Sequence, residues 1–340
     1  MQTKFQKTLN VCCELFNAGL QERRDAWKLN RKSVNYHAQA IQLPQIKLER
    51  PDVEVIYSQV LQDTLRRLGK AFDAFFRRVK AGEKQLGFPR FKPRRRFDSF
   101  CYPQSGFKLE GDKLTLSKLG SVRVKLHRLI SGKIKTCTIK TEGNKWFVIF
   151  TVEGSEREPL PLTGKTAGID VGLTHFATLS TGEQIPNPRF FRADQDALAR
   201  AQRNGKRKAA RRIHNHIRNR RANFAHQVSR YLVDQFDAIF FEKLNIRGML
   251  KNHRLAKSIA DAAWNQLIQY TSYKAENAGR ICRTVDPRNT SKLTACCGER
   301  VEMTLSDRVI HCPKCQSVTD RDWNASLNIL SRGLATLAAA

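Results

Sequence analysis

Apolar residues recur at helical spacing near the start of the chain. Val11, Leu15, Ala18 and Ala26, with Glu and Arg between them, predict an amphipathic helix over Leu9 to Trp27. A stronger stripe follows between Gln59 and Val79, where Leu61, Leu65, Leu68, Phe72, Phe75 and Val79 share one face and Gln62, Arg66, Arg67, Lys70, Arg77 and Arg78 cover the other. Each of those cations taken singly reads as a solvated residue, whereas the set suits a phosphate backbone. Helical spacing stops at Gly87-Phe-Pro-Arg-Phe-Lys-Pro-Arg-Arg-Arg96, where two prolines forbid a continuous helix. Arg90, Lys92 and Arg94 are interleaved there with Phe88 and Phe91. A linker is one reading; the preferred one is a clamp whose cations hold phosphates while a ring stacks on a base.

From Phe100 to Glu153 the period shortens to two. Runs such as Leu114-Thr-Leu, Val122-Arg-Val-Lys-Leu and Trp146-Phe-Val-Ile-Phe-Thr-Val, separated by Gly-Asp, Gly-Lys and Gly-Asn turn signals, predict an antiparallel sheet or a small barrel. Beyond Pro159-Leu-Pro-Leu-Thr-Gly164, strands alternate with long helical stretches, the signature of an α/β core. One of those stretches, Asp194 to Asp234, carries Arg203, Lys206, Arg207, Lys208, Arg211, Arg212, Arg218, Arg220 and Arg221, and interleaves no acid between Leu198 and Val228. A solvated helix normally pairs such charges one turn apart, so nucleic-acid contact is the preferred reading. The alanine-rich C-terminal end is expected to fray.

Composition agrees with that basic patterning. Among 340 residues, 61 Lys and Arg face 31 Asp and Glu, a formal charge of +30 whose self-repulsion a polyanion would relieve. No apolar run reaches the roughly 18 to 20 residues that a membrane span needs, and the N-terminus lacks a signal-peptide pattern, so a cytoplasmic, intracellular location is expected, nucleoid-associated when bound to DNA. Of nine cysteines, four fall between Cys296 and Cys315, which metal binding explains better than disulfides do. Cys12, Cys13, Cys101, Cys137 and Cys282 are expected to be buried thiols.

Three segments carry candidate chemistry. Ala167-Gly-Ile-Asp-Val-Gly172 is an apolar strand delivering Asp170 between two glycines that leave room for a backbone or a metal ion. Asp237-Ala-Ile-Phe-Phe-Glu242 is a second apolar strand, ending in Glu242 at the C-terminal end where functional groups of α/β sheets gather. In Thr319-Asp-Arg-Asp-Trp-Asn-Ala-Ser-Leu-Asn-Ile-Leu330, Asp322 precedes an apolar helix, while Asp320 is well explained as its N-cap. Three carboxylates at one sheet edge would repel one another without divalent cations, and oxygen-only ligation selects Mg2+ or Mn2+. Two such ions can hydrolyse a phosphodiester, which points to a nuclease or polynucleotidyl transferase. A fourth segment, Cys296-Cys-Gly-Glu with His311-Cys-Pro-Lys-Cys315, approaches a zinc ribbon. Cys297, Cys312 and Cys315 have suitable spacing, but the first knuckle position is Thr294. Either zinc is held with Cys296 or His311 as the fourth ligand, or the ribbon is a metal-free remnant.

These residues together resemble the TnpB family of transposon-encoded nucleases, which is related to the type V CRISPR effectors. The match rests on Gly168-Ile-Asp-Val-Gly172, Phe241-Glu-Lys-Leu-Asn245 and Asp320-Arg-Asp-Trp-Asn-Ala325, with Ser58-Gln-Val-Leu-Gln62, Gly87-Phe-Pro-Arg-Phe-Lys92 and Val285-Asp-Pro-Arg-Asn-Thr-Ser291 in the same order. The resemblance implies a helical recognition domain over 1–95, a wedge-type β-barrel over 96–158 and an RNase H-like, RuvC-type α/β nuclease core over 159–289. It further implies a zinc-ribbon-like insertion over 290–318 and a last RuvC segment with the tail over 319–340. It also implies an RNA guide encoded by the transposon end, a double-stranded DNA target, Mg2+ at Asp170, Glu242 and Asp322, and RNA-guided DNA endonuclease activity. Gln59, Gln62, Arg66, Arg90, Lys92, Arg94, Arg207, Arg211 and Arg212 are the candidate nucleic-acid contacts, the two glutamines as base readers. Two departures stand out. Members begin with a short strand of the form Lys-x-Arg-x-Tyr-Pro, whereas this chain opens on the helix that follows it, so an effect on guide binding or target recognition is expected; the other departure is Thr294. The competing functions are a guide-directed DNA-binding regulator without cleavage, which the presence of all three acids disfavours, and an accessory transposase that joins DNA ends.

Overall fold

The structure is a computed structural model that describes residues 1–143, 145–154, 158–304 and 307–338. It divides into two compact units, Met1–Ser155 and Glu156–Ala340.

The first unit opens with helix α1 (Gln2–Asn30), short helices α2 (Tyr36–Ala40), α3 (Leu43–Glu49) and α4 (Pro51–Glu54), and the long helix α5 (Ser58–Lys80). The buried line of α1 runs through Phe5, Leu9, Cys12, Phe16, Leu20 and Arg23, with Val11 and Leu15 on its flank. Ala18 lies one step off that line and is exposed, and Ala26 is half-buried, so the inward face is rotated from the expected one. Helix α5 buries Val60, Leu61, Thr64, Leu65 and Leu68, as its stripe predicts. Its last turns run past the core: Phe72 and Phe75 are half-buried, and Val79 is 44% exposed.

Strands β1 (Ser99–Tyr102), β2 (Phe107–Glu110), β3 (Lys113–Leu116), β4 (Gly120–Arg123), β5 (Lys133–Glu142) and β6 (Lys145–Glu153) complete this unit. The sheets are antiparallel, as the turn signals predict. The barrel, however, does not close among the described residues. The strands form two separate three-stranded sheets, β1-β5-β6 and β2-β3-β4, because no ladder joins the edges of one to the edges of the other. Cys12, Cys13 and Cys137 are buried, whereas Cys101 is half-buried; all are free thiols.

The second unit is a mixed α/β layer structure. Strands β7 (Thr166–Asp170), β8 (His175–Leu179) and β9 (Gln184–Pro186) form an antiparallel meander, and β10 (Ala238–Glu242) and β11 (Ile281–Val285) extend it in parallel, giving the order β11-β10-β7-β8-β9. Between them lie α6 (Phe190–Arg203), α7 (Arg207–Gln235), α8 (Ile246–Met249), α9 (Ala256–Ala262) and α10 (Trp264–Asn277). The basic region read as one helical stretch is two helices, broken where Gly205 adopts a left-handed φ of 63°.

Strand β10 shows why its apolar run is continuous. Ile239 and Phe241 pack with Leu232 and Val233 of α7 and Leu267 of α10 on one face, while Ala238 and Phe240 pack with Ile329 on the other. That second face is covered by α11 (Arg321–Ala338), which follows the hairpin β12 (Val309–His311) and β13 (Val318–Asp320). Helix α11 reaches Ala338, and the end of the alanine tail, 339–340, lies outside the described residues. Its backbone approaches the sheet so closely that a Cβ on Gly168 would stand 2.2 Å from the Ser326 carbonyl oxygen, and one on Gly333 would strike the Phe240 ring. No helix among the described residues is long and apolar enough to cross a membrane.

Candidate active site and cysteine cluster

Asp170 ends β7 and Glu242 ends β10, and because these strands are parallel neighbours with Ile169 opposite Phe241, the two carboxylates emerge side by side at one edge. The third comes from the opposite layer. Asp320 caps α11 by accepting hydrogen bonds from the backbone N–H groups of Asp322 and Trp323, both 3.0 Å, which starts the helix with Asp322 in its first turn. Trp323 Nε1 donates to the Ser180 carbonyl at 3.1 Å, and Ser180 Oγ accepts from Gly168 N at 3.1 Å, so the start of α11 is tied to the strand bearing Asp170.

Electrostatics register this convergence. Burial, then the charges of Glu242 and Asp322, push the Asp170 carboxyl well above its ordinary range. Burial also raises Glu242, against a hydrogen bond from Thr290 and the positive charge of Arg332. The donor set is all oxygen, and two of the carboxyls are held above the usual range in a site that a divalent cation would return to the ionised form. The residues therefore fit Mg2+ or Mn2+.

The opposite end of the sheet is bound by a different device. Asp237, just before β10, accepts from the Thr163 and Gly164 backbone N–H groups and pairs with Arg280, whose side chain is only 1% exposed. Burial alone would raise this carboxyl, but the Thr163 and Gly164 hydrogen bonds and the Arg280 charge outweigh it and hold it below its ordinary value.

Cys296, Cys297, Cys312 and Cys315 bring their sulfurs within 4.8 Å of one another, the only such ligand group among the described residues. Cys312 and Cys315 occupy the turn between β12 and β13, where Gln316 N donates to the Cys312 carbonyl at 3.0 Å. Thr294 takes the first knuckle position: it is 1% exposed, its Oγ1 accepts from Glu299 N at 3.0 Å, and Cys312 Sγ lies 3.7 Å from it. Cys296 fills the gap by reaching Cys315 at 3.3 Å, and His311 lies outside the group. Hydrogen bonds from the Ser317 side chain and backbone and from Cys296 and Cys297 pull the Cys315 thiol down to about 6. Four thiols at this spacing could hold a zinc ion, whose sulfur ligands sit at about 2.3 Å.

The candidate nucleic-acid residues meet different surroundings. Arg90, Arg207, Arg211 and Arg212 are exposed, the last three along α7 without an ion pair among the described residues. Arg66 lies over the Tyr36 ring and Arg94 pairs with Glu14 at 2.6 Å. Lys92 turns inward over the Phe16 and Phe97 rings while its backbone is held by Asn17, so the structure gives it a packing role. Gln62 is half-buried, and Gln59 accepts from the Ser105 backbone N–H at 3.2 Å. Sequence reasoning missed Asp261, which is buried, accepts twice from Phe191 N and pairs with Arg221 at 2.7 Å, joining α6, α7 and α9. It also missed the cleft of about 470 Å3 beside it, lined by Arg192, Gln195, Arg254, Lys257 and Ser258. A lone Asp in a short helix, and cations scattered over two helices and the turn before one of them, carry no periodic signal.

A family model described as "Probable transposase" matches residues 149–253, and one for the "Cas12f1-like, TNB domain" matches residues 264–329. A Streptomyces pristinaespiralis protein named "Putative RNA-guided DNA endonuclease" is 34% identical across 98% of this chain and 87% of its own length. The Escherichia coli K12 protein "Putative RNA-guided DNA endonuclease InsQ" is 29% identical across 99% of this chain and 90% of its own length. Among solved structures, a chain of "Cryo-EM structure of the Cas12f1-sgRNA-target DNA complex" aligns at 15% identity with a TM-score of 0.41, covering 96% of this chain and 93% of that one. The chain belongs to the TnpB family.

Proposed function

We propose that this protein is an RNA-guided DNA endonuclease in which Asp170, Glu242 and Asp322 hold two Mg2+ or Mn2+ ions at an RNase H-like sheet edge. The observation that carries the reading is the meeting of the three carboxylates: two at adjacent parallel strand ends, and a third on a helix close enough for its charge to raise Asp170. The names of the full-length relatives support the guide RNA and the DNA target as partners. When bound, the divalent cations supply the Lewis acidity for in-line hydrolysis of a phosphodiester. The chain's own contribution is to fix the ligands on rigid elements. The exposed arginines of α7 supply phosphate contacts that position the nucleic acid without reading sequence.

The division into a recognition part over 1–95, a wedge part over 96–158, a nuclease core over 159–289 with its last segment over 319–340, and an insertion over 290–318 belongs to the same proposal. So does zinc in the insertion, held by Cys296, Cys297, Cys312 and Cys315 as a folding element without chemistry of its own.

The test is cleavage of a guide-matched duplex by the purified ribonucleoprotein. Asp170→Ala, Glu242→Ala and Asp322→Ala each abolish cleavage and leave RNA and DNA binding intact, since each removes a metal ligand and no basic residue. Cleavage by all three variants would eliminate the site. Joining of DNA ends in place of hydrolysis would favour a transposase, and guided binding without cleavage by the parent would favour a regulator.

A further inference from the structure

We infer that Thr290 is a positioning residue for Glu242, and that Asn324 and Asn328 lock its segment onto the helix bearing Asp322, so that one loop sets the relation between two of the three carboxylates. This rests on the reading of Glu242 and Asp322 as metal ligands.

Glu242 ends its strand on a side chain with several free torsions, and among the described residues its one hydrogen bond comes from Thr290 Oγ1. That hydroxyl belongs to a residue only 1% exposed, in the turn that follows β11. The Pro287 carbonyl, 3.1 Å away, is the alternative acceptor for the same single proton. A buried hydroxyl aimed at a half-buried carboxylate makes a charge-assisted bond and selects one orientation of the acid.

The segment carrying Thr290 is itself clamped. Asn328 Nδ2 donates to the Thr290 carbonyl at 2.9 Å and to the Leu293 carbonyl at 2.7 Å. One turn earlier, Asn324 Nδ2 donates to the same Leu293 carbonyl at 2.7 Å, and its Oδ1 accepts from Ala295 N at 2.8 Å. Asn324 is 2% exposed and stands two residues after Asp322 on α11. Residues four apart lie on one helix face, so two amides grip both ends of the 290–295 loop. Satisfying buried carbonyls would account for the asparagines alone. The direction of the Thr290 hydroxyl, toward a carboxylate from another strand, is what turns the clamp into a brace between Glu242 and the Asp322 helix. Loss of a group that orients a metal ligand in this way typically lowers metal affinity by about 10- to 100-fold.

The experiment is a Mn2+ titration by calorimetry of the full chain, with the cysteine cluster first saturated with zinc. Thr290→Val, of nearly the same shape, weakens Mn2+ binding by about 10- to 100-fold. Thr290→Ser, which keeps the hydroxyl, restores it, whereas a merely structural role would not depend on the hydroxyl in this way. In a Glu242→Gln background, Thr290→Val adds no further loss, because its action runs through Glu242. If Thr290→Val does not fold, Thr290→Ala carries the same comparison. Parent-like Mn2+ binding by the folded hydroxyl-free variant, alongside loss in Glu242→Gln, overturns the inference and leaves the proposed site standing. Unchanged binding in Asp170→Asn and Glu242→Gln as well overturns the metal site itself.

Discussion

Gly168→Ala would add one methyl group where the structure has no room for it. The new Cβ would lie 2.2 Å from the Ser326 carbonyl oxygen, 2.4 Å from Leu330 N and 2.9 Å from Leu330 Cα. Comfortable carbon–oxygen contacts sit near about 3.3 Å, so one side must retreat by about 1 Å. All three atoms are helix backbone, and no side chain can rotate out of the way. Strand β7 is fixed between β8 and β10, which leaves α11 as the element that moves. Overpacking of this kind costs about 1 to 3 kcal/mol. Because α11 carries Asp322, the same shift reaches the candidate site, where a displacement of about 1 Å lowers a rate by roughly 100-fold. Urea denaturation followed by tryptophan fluorescence reads the first effect, and guide-matched duplex cleavage at a temperature where the variant is fully folded reads the second. Parent-like stability and cleavage in Gly168→Ala would falsify the claim that this glycine exists to admit the helix.

Other expectations follow from the remaining features. Asp237→Asn removes the partner of the buried Arg280 and lowers unfolding free energy by about 3 kcal/mol, measured by urea titration. Because the folded Asp237 carboxyl is depressed, the parent holds this contribution fully above about pH 4 and loses it as pH falls through the folded value; a pH-independent difference between parent and variant would contradict the assignment. Cys296→Ser lowers zinc per chain by elemental analysis, and Thr294→Cys in that background restores it, since Thr294 already stands beside Cys312; full zinc in Cys296→Ser would exclude the fourth thiolate. Replacing Arg207, Arg211 and Arg212 together by Ala flattens the log–log salt dependence of nucleic-acid affinity by about two to three units, and an unaltered slope would remove α7 from the interface.

Local pattern made the ends of β7 and β10 legible, because an apolar run terminated by one acid is a signal within six residues. It made the α5 stripe legible for the same reason, up to the point where the helix outruns its core at Val79. What pattern could not reveal is which strands pair. That β10 inserts beside β7 is decided by burial on two faces, and the failure of the β1-β5-β6 sheet to close with β2-β3-β4 is likewise a property of edges. The rotation of α1 away from Ala18 went unseen because a small apolar residue fits either side of a helix. Lys92 reads in sequence as one of a basic run, yet its ammonium group lies over the rings of Phe16, from α1, and Phe97, just before β1. Thr290 and Asp261 are single polar residues whose partners lie far away in the chain, and no spacing rule reaches them.

The third carboxylate reaches the sheet only by the docking of α11 across Gly168 and Gly333. During synthesis, β7 and β10 can form their ladder while α11 is still unmade, with Asp170 and Glu242 at its edge. The ladder alone carries two of the three candidate carboxylates. Until the last helix closes, Phe240 and Ala238 have no cover on that face and Glu242 lacks the loop that the α11 asparagines hold. Completion of the candidate site therefore coincides with the final burial step, so a nascent or interrupted chain that has not reached Arg321 has at most two of the three carboxylates in place.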